Sequence, residues 1–312
     1  MIRPVVAVSL LAVWGASAEA QGAALIITPT SPAPGAVVRL SFDDANGAAD
    51  PAVAVRGSMA GEQLHFLYAG SGIWRALGGV PVDATDSVVA RVSVERSSGV
   101  LDTARAAVAL PRPPAAAPPR QLAVASRFTQ PLDSATQARI TRENCRATEI
   151  GRGAHFTEPM WTAPFLQPRD SRITSRFGSG RSFNGRVTSR HLGVDFSGGV
   201  GAPVRSANRG VVALVDTFFL ARRVIYIDHG AGIMTGYFHL SETIVSAGDT
   251  VARGQRIGSV GESGRVTGPH LHWSARYGAL AVNPLDLVQA GGWYGSAVML
   301  MRDGREAVET GQ

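Results

Sequence analysis

Lysine is absent and cysteine occurs once, at Cys145. A single thiol excludes an internal disulfide and any zinc site built from thiolates. Cys145 also lies in a helix-like stretch, ITRENCRATEI, with no histidine beside it, so it reads as structural rather than nucleophilic. No apolar run after residue 20 approaches the roughly 20 residues that a membrane-spanning helix needs, and no transmembrane segment is expected in the mature chain. The G-x-S-x-G turn of serine hydrolases is missing. So is any basic motif interleaved with aromatics, which argues against a nucleic acid partner. The 30 basic residues, all arginine, exceed the 24 acidic ones by six. Such an excess favours anionic polymers, and outside the cytoplasm these are cell-wall material and membrane surfaces.

The chain has 312 residues, 45% of them hydrophobic, enough for two domains with their own cores. It begins MIRPVVAVSLLAVWGASAEAQ: an arginine, an apolar run from Val5 to Trp14, then small residues ending at Ala20. This pattern predicts a signal peptide over residues 1–20 and export, to the periplasm or beyond it into the medium. The fold class expected is mainly β. Short alternating segments (AVVRLSF, QLHFLYA, SVVARVSV) predict an immunoglobulin-like β-sandwich over 21–110. A Pro/Ala-rich linker follows at 111–122, then a partly helical connector at 123–170, with Ser134 and Gln137 as a capping box and Gly151 as a left-handed stop. Residues 171–290 return to short strands and glycine turns, predicting a compact antiparallel sheet, and 291–312 form a tail.

Five of the seven histidines fall in that last β-rich region. In GPHLHWSARYG, strand alternation puts His270 and His272 on one face and Leu271 and Trp273 on the other. A histidine pair so placed begins either a metal site or an acid-base site. A catalytic zinc site takes three protein ligands and leaves a position for water, a set that His191, Asp195 and one member of the pair would supply. His191 and Asp195 would stand about 13 Å apart in a straight strand. Gly193 is where the chain can bend. Direct ligation by Asp195 is the preferred reading over a supporting hydrogen bond to His191. His65, His155 and His229 read as structural. Asn184, Arg186, Ser263 and Thr267 would line a substrate cleft, although turns use the same residue types.

The ordered set H-x-x-x-D, Y-x-H-L, G-P-H-L-H-W and V-N-P-L, from about Ile173 to Leu287, resembles the M23 peptidases, the lysostaphin-like zinc endopeptidases of peptidoglycan. The resemblance implies an M23-like peptidase domain over 171–290 that binds Zn2+ through His191, Asp195 and His272. It leaves His239 and His270 unligated as catalytic groups, His270 taking the proton of water and His239 stabilising the oxyanion or protonating the leaving amine. It also implies a peptide groove and peptidoglycan as substrate. Two other roles stay open: a noncatalytic scaffold that regulates another wall hydrolase, and a wall-binding module that meets an envelope protein through the N-terminal domain.

Overall fold

The computed structural model describes residues 24–44, 47–112, 118–290, 292–295 and 297. The expected signal peptide, the middle of the linker and most of the tail lie outside the described residues. The protein is mainly β, as expected. Along Ser87–Arg96 every second residue, Val88, Ala90, Val92 and Val94, is buried. That period of two makes the segment one strand of a sandwich. Two four-stranded antiparallel sheets share a core around Leu40, Phe42, Ala76 and Val92. One sheet runs Ala24–Thr28, Val37–Asp43, Ile73–Gly79, Leu67–Tyr68 and the other Glu62–His65, Ala52–Met59, Ser87–Arg96, Leu101–Ala109 in spatial order, the immunoglobulin-like arrangement.

The C-terminal region is built on a 10-stranded antiparallel sheet. The strand His270–Tyr277 lies between Val194–Ser197 and Ile233–Thr243. Leu271, Trp273, Ala275 and Tyr277 point into the main core, so the opposite face carries His270, His272, Ser274 and Arg276. The helix Ser134–Gly153 packs on this second face, with Ala147 and Ile150 against Leu214, Phe218, Tyr226 and Phe238. A cavity of about 170 Å3 between helix and sheet has His272 in its wall. Among the described residues no helix is long and apolar enough to cross a membrane.

Four expectations for the linker and connector need correction. Asp133, not Ser134, caps the helix, its carboxylate accepting from the Thr136 N–H at 2.6 Å. Gly151 does not end it. The helix continues to Gly153, and Gly151 is there because an added Cβ would sit 2.2 Å from the Gly278 carbonyl. The end of the linker is not a free spacer, since Arg120–Leu122 forms a strand parallel to Gly180–Phe183. Cys145 lies exposed on the helix rather than packed.

The two β-rich regions meet through Val37 and Leu77, which join the main C-terminal core, and through a set of polar contacts. The Tyr277 hydroxyl donates to the Gln63 carbonyl at 2.7 Å, and the Tyr294 hydroxyl to the His65 carbonyl at 2.8 Å. His155 bridges His65 and Glu62 at 2.8 Å each. Within the C-terminal sheet, His229 is fully buried, its Nδ1–H donating to the Arg209 carbonyl and its Nε2 lying 2.8 Å from the Thr235 hydroxyl. Desolvation pushes the imidazoles of His65 and His229 down to about 4. An unfolded imidazole takes a proton near pH 6.5, whereas the folded one resists until about 4, so this stability is present above 6.5 and lost as the pH falls. For His229 alone the loss is at most about 3 kcal/mol. Melting temperature should therefore decline between pH 6.5 and 4, and His229→Gln should flatten the profile in thermal scans.

Candidate active site

Asp195 stands directly opposite His272 in the antiparallel register, and Ser197 opposite His270. His191 precedes the strand, in a loop fixed by mutual backbone hydrogen bonds: its N–H donates to the Ser179 carbonyl at 2.9 Å and its carbonyl accepts from the Gly178 N–H at 2.8 Å. The bend expected at Gly193 is present. A Cβ on Gly193 would meet the His272 ring at 2.6 Å and the Trp273 carbonyl at 2.6 Å. Gly193→Ala should therefore displace His272 and weaken metal binding by about tenfold or more. Chelator competition would measure this, and an unchanged melting temperature would separate it from unfolding.

Three ligand-type atoms converge. His191 Nε2 lies 2.9 Å from His272 Nδ1 and 3.0 Å from Asp195 Oδ1, while His272 Nδ1 is 2.9 Å from the same oxygen. The Nδ1–H of His191 donates to the Arg176 carbonyl at 3.0 Å, which leaves the Nε2 lone pair facing the centre. The other carboxylate oxygen of Asp195 accepts from Arg181, whose Nη2 also donates to the Ser175 hydroxyl at 2.9 Å. Burial raises the Asp195 carboxyl, yet the hydrogen bonds and charges of His191 and His272 outweigh it and hold the group below the ordinary carboxylate range. The result is two nitrogens and one ionised oxygen within 3.0 Å of each other. Hydrogen bonding cannot satisfy all three lone pairs at that spacing, and a divalent cation with zinc's ligand preferences can.

His239 and His270 stand beside this triangle, not in it. Their rings are 5.0 Å apart, and His270 Nε2 is 3.8 Å from Asp195 Oδ1. Each is held by its other nitrogen. His239 Nδ1–H donates to the Ser263 carbonyl at 3.0 Å, and His270 Nδ1–H to the Gly268 carbonyl at 2.8 Å. In the neutral rings both Nε2 atoms are therefore acceptors. Desolvation, reinforced by the neighbouring His270 and His272, pushes His239 down to about 3, so it is neutral at working pH. His239 reaches this position through a backbone φ of 61° at a register shift in its strand. Such an irregularity re-aims a side chain that straight alternation would point elsewhere.

The expected cleft residues are placed differently from one another. Asn184 sits at the tip of the Gly180–Arg190 hairpin with φ 50°, and its side chain hydrogen-bonds Val124 and Thr129. Arg186, Ser263 and Thr267 are exposed on loops, with the Ser263 carbonyl holding His239. Sequence reasoning missed Arg181, Phe183 and Arg265. Arg181 and Phe183 alternate along Gly180–Phe183, so they share one face; nothing in the local pattern reveals that this face meets Asp195.

A family model described as peptidase family M23 matches residues 189–284. The peptidoglycan DD-endopeptidase ShyA of Vibrio cholerae is 45% identical over 111 residues, covering 34% of this chain and 25% of the relative. ShyB of the same organism, also a peptidoglycan DD-endopeptidase, is 38% identical over 120 residues, covering 38% of this chain and 27% of the relative. The match thus spans about a quarter of the length of these relatives. A crystal structure of a Pseudomonas aeruginosa protein described as an M23 peptidase superimposes with a TM-score of 0.61 at 24% identity, over 82% of this chain and 94% of that one. That likeness is one of fold.

Proposed function

From a chain that carries a peptidase family M23 domain over residues 189–284, we infer a zinc-dependent endopeptidase that hydrolyses peptide bonds in peptidoglycan cross-links or stem peptides. The observation that carries this reading is the triangle of His191, Asp195 and His272, closed to 3.0 Å and flanked by His270, whose Nε2 lies 3.8 Å from Asp195 Oδ1, and by His239, whose ring centroid lies 6.2 Å from that of His272. Zinc bound there would lower the pKa of water to about 7 and polarise the scissile carbonyl. The chain supplies the proton handling. His270, nearer the carboxylate, accepts a proton through Nε2 while Gly268 fixes its ring. His239, neutral and also anchored by a backbone carbonyl, accepts a hydrogen bond and aligns the reacting groups. To donate to an oxyanion or leaving amine it must first gain a proton at Nε2. The signal-like start and the wall-active relatives support a site of action in the periplasm.

Zymography of the purified protein on isolated wall material tests the proposal. A clearing band that disappears with chelator and returns with zinc is expected. A protein that never clears, with the triangle intact and zinc loaded, would fit the scaffold reading instead. Mass spectrometry of the released fragments then identifies the bond.

A further inference from the structure

We propose that Arg265 and Arg181 form an anion subsite beside the two histidines, taking a free carboxylate on the residue next to the scissile amide; the proposal rests on the endopeptidase reading above. The loop that carries Arg265 is held at both legs by those histidines, His239 on the Ser263 carbonyl and His270 on the Gly268 carbonyl. Its apex is pinned as well, because the Arg265 N–H donates to the Leu220 carbonyl at 2.8 Å. The side chain then crosses to Phe183, where its guanidinium carbon lies 4.2 Å from the ring centroid. Phe183 is buried and stands two residues after Arg181, on the same strand face.

This arrangement orients a guanidinium without using its donors. Stacking occupies the π face and leaves the planar fork of N–H groups available, the geometry that matches a carboxylate. Among the described residues no carboxylate pairs with Arg265, and burial together with the Arg181 charge pushes its pKa down from the ordinary value. Arg181 spends Nη2 on Asp195 and Ser175, but its Nε is buried without a partner. Only Arg181 is paired with a carboxylate, Asp195, so the half-buried Arg265 guanidinium feels the Arg181 charge with no anion of its own. Half-buried like charges with idle donors are costly until an anion joins them. A peptide with a carboxylate beside its scissile amide supplies that anion, and a neutral glycine bridge does not.

The test uses two labelled peptides in which a D-alanyl amide is followed by a residue bearing either a free α-carboxylate or its carboxamide. Binding is measured first on the full chain with chelator present, so that no metal charge attracts the acid. The acid should bind at least about tenfold tighter at low salt, with the ratio falling as salt rises. Arg265→Met should bring the ratio below about twofold, and Arg265→Lys should restore part of it. On the zinc-loaded protein the kcat/KM ratio of the two peptides should follow the same order. Equal affinity of the wild type for acid and amide overturns the subsite without recourse to any variant, and so does a full ratio in a folded Arg265→Met protein. Hydrolysis of neither peptide by the zinc-loaded wild type removes the endopeptidase reading, while a surviving affinity ratio still supports the anion subsite.

Discussion

Asp195→Ala protein is expected to fold, to lose zinc affinity by at least about a hundredfold, and to show no wall hydrolysis above background. The magnitude follows from charge. Loss of a supporting partner typically costs a metal site 10- to about 100-fold, and Asp195 is itself one of the three converging groups and the negative one among them. Without it two neutral imidazoles face a dication, and Arg181 points a guanidinium at the same place with no carboxylate to hold. Asp195→Asn is the sharper variant. It keeps an oxygen and nearly the same shape but removes the charge, and it should also lose most of the affinity. Backbone pairing of Val194–Ser197 with both neighbours does not depend on the side chain, so circular dichroism should be unchanged. Zinc retained within about twofold by Asp195→Ala would remove the triangle as the metal site.

What could be read from the sequence was what local periodicity encodes. Alternation along His270–Tyr277 gives the histidine face and the apolar face correctly, because each residue's side depends only on its neighbours. The glycine between His191 and Asp195 marks the bend for a similar reason, since any side chain there would strike His272. Register is another matter. That Asp195 lies opposite His272 depends on a pairing between segments more than 70 positions apart, which only the ordered motifs suggest. The placement of His239 was not legible, because it needs a left-handed residue at an irregularity that no side-chain pattern announces. Arg181 and Arg265 escaped for the same reason as Asp133: their roles come from what they reach, not from where they recur. The strand at the end of the linker, Arg120–Leu122, was hidden by a composition that reads as spacer, yet an exposed hairpin edge offers unpaired backbone groups to any extended segment nearby.

His270→Ala should separate chemistry from metal binding. The side chain sits two residues from His272 on one face, with Nε2 at 3.8 Å from Asp195 Oδ1, outside the 3.0 Å spacing of the three ligand atoms. Its Nδ1–H is committed to the Gly268 carbonyl, so only Nε2 can exchange a proton with substrate or water. A general base so placed contributes about 100- to 10,000-fold. The variant should therefore keep its zinc content and melting temperature while kcat falls by roughly that factor. His239→Ala should also keep zinc, but with a smaller fall if His270 alone takes the proton. The two variants together assign the base, because burial keeps His239 neutral and its loss removes a hydrogen-bond acceptor beside the site. If His270→Ala loses zinc in proportion to rate, then His270 is a fourth ligand, the centre has no position left for water, and the hydrolytic assignment fails with it.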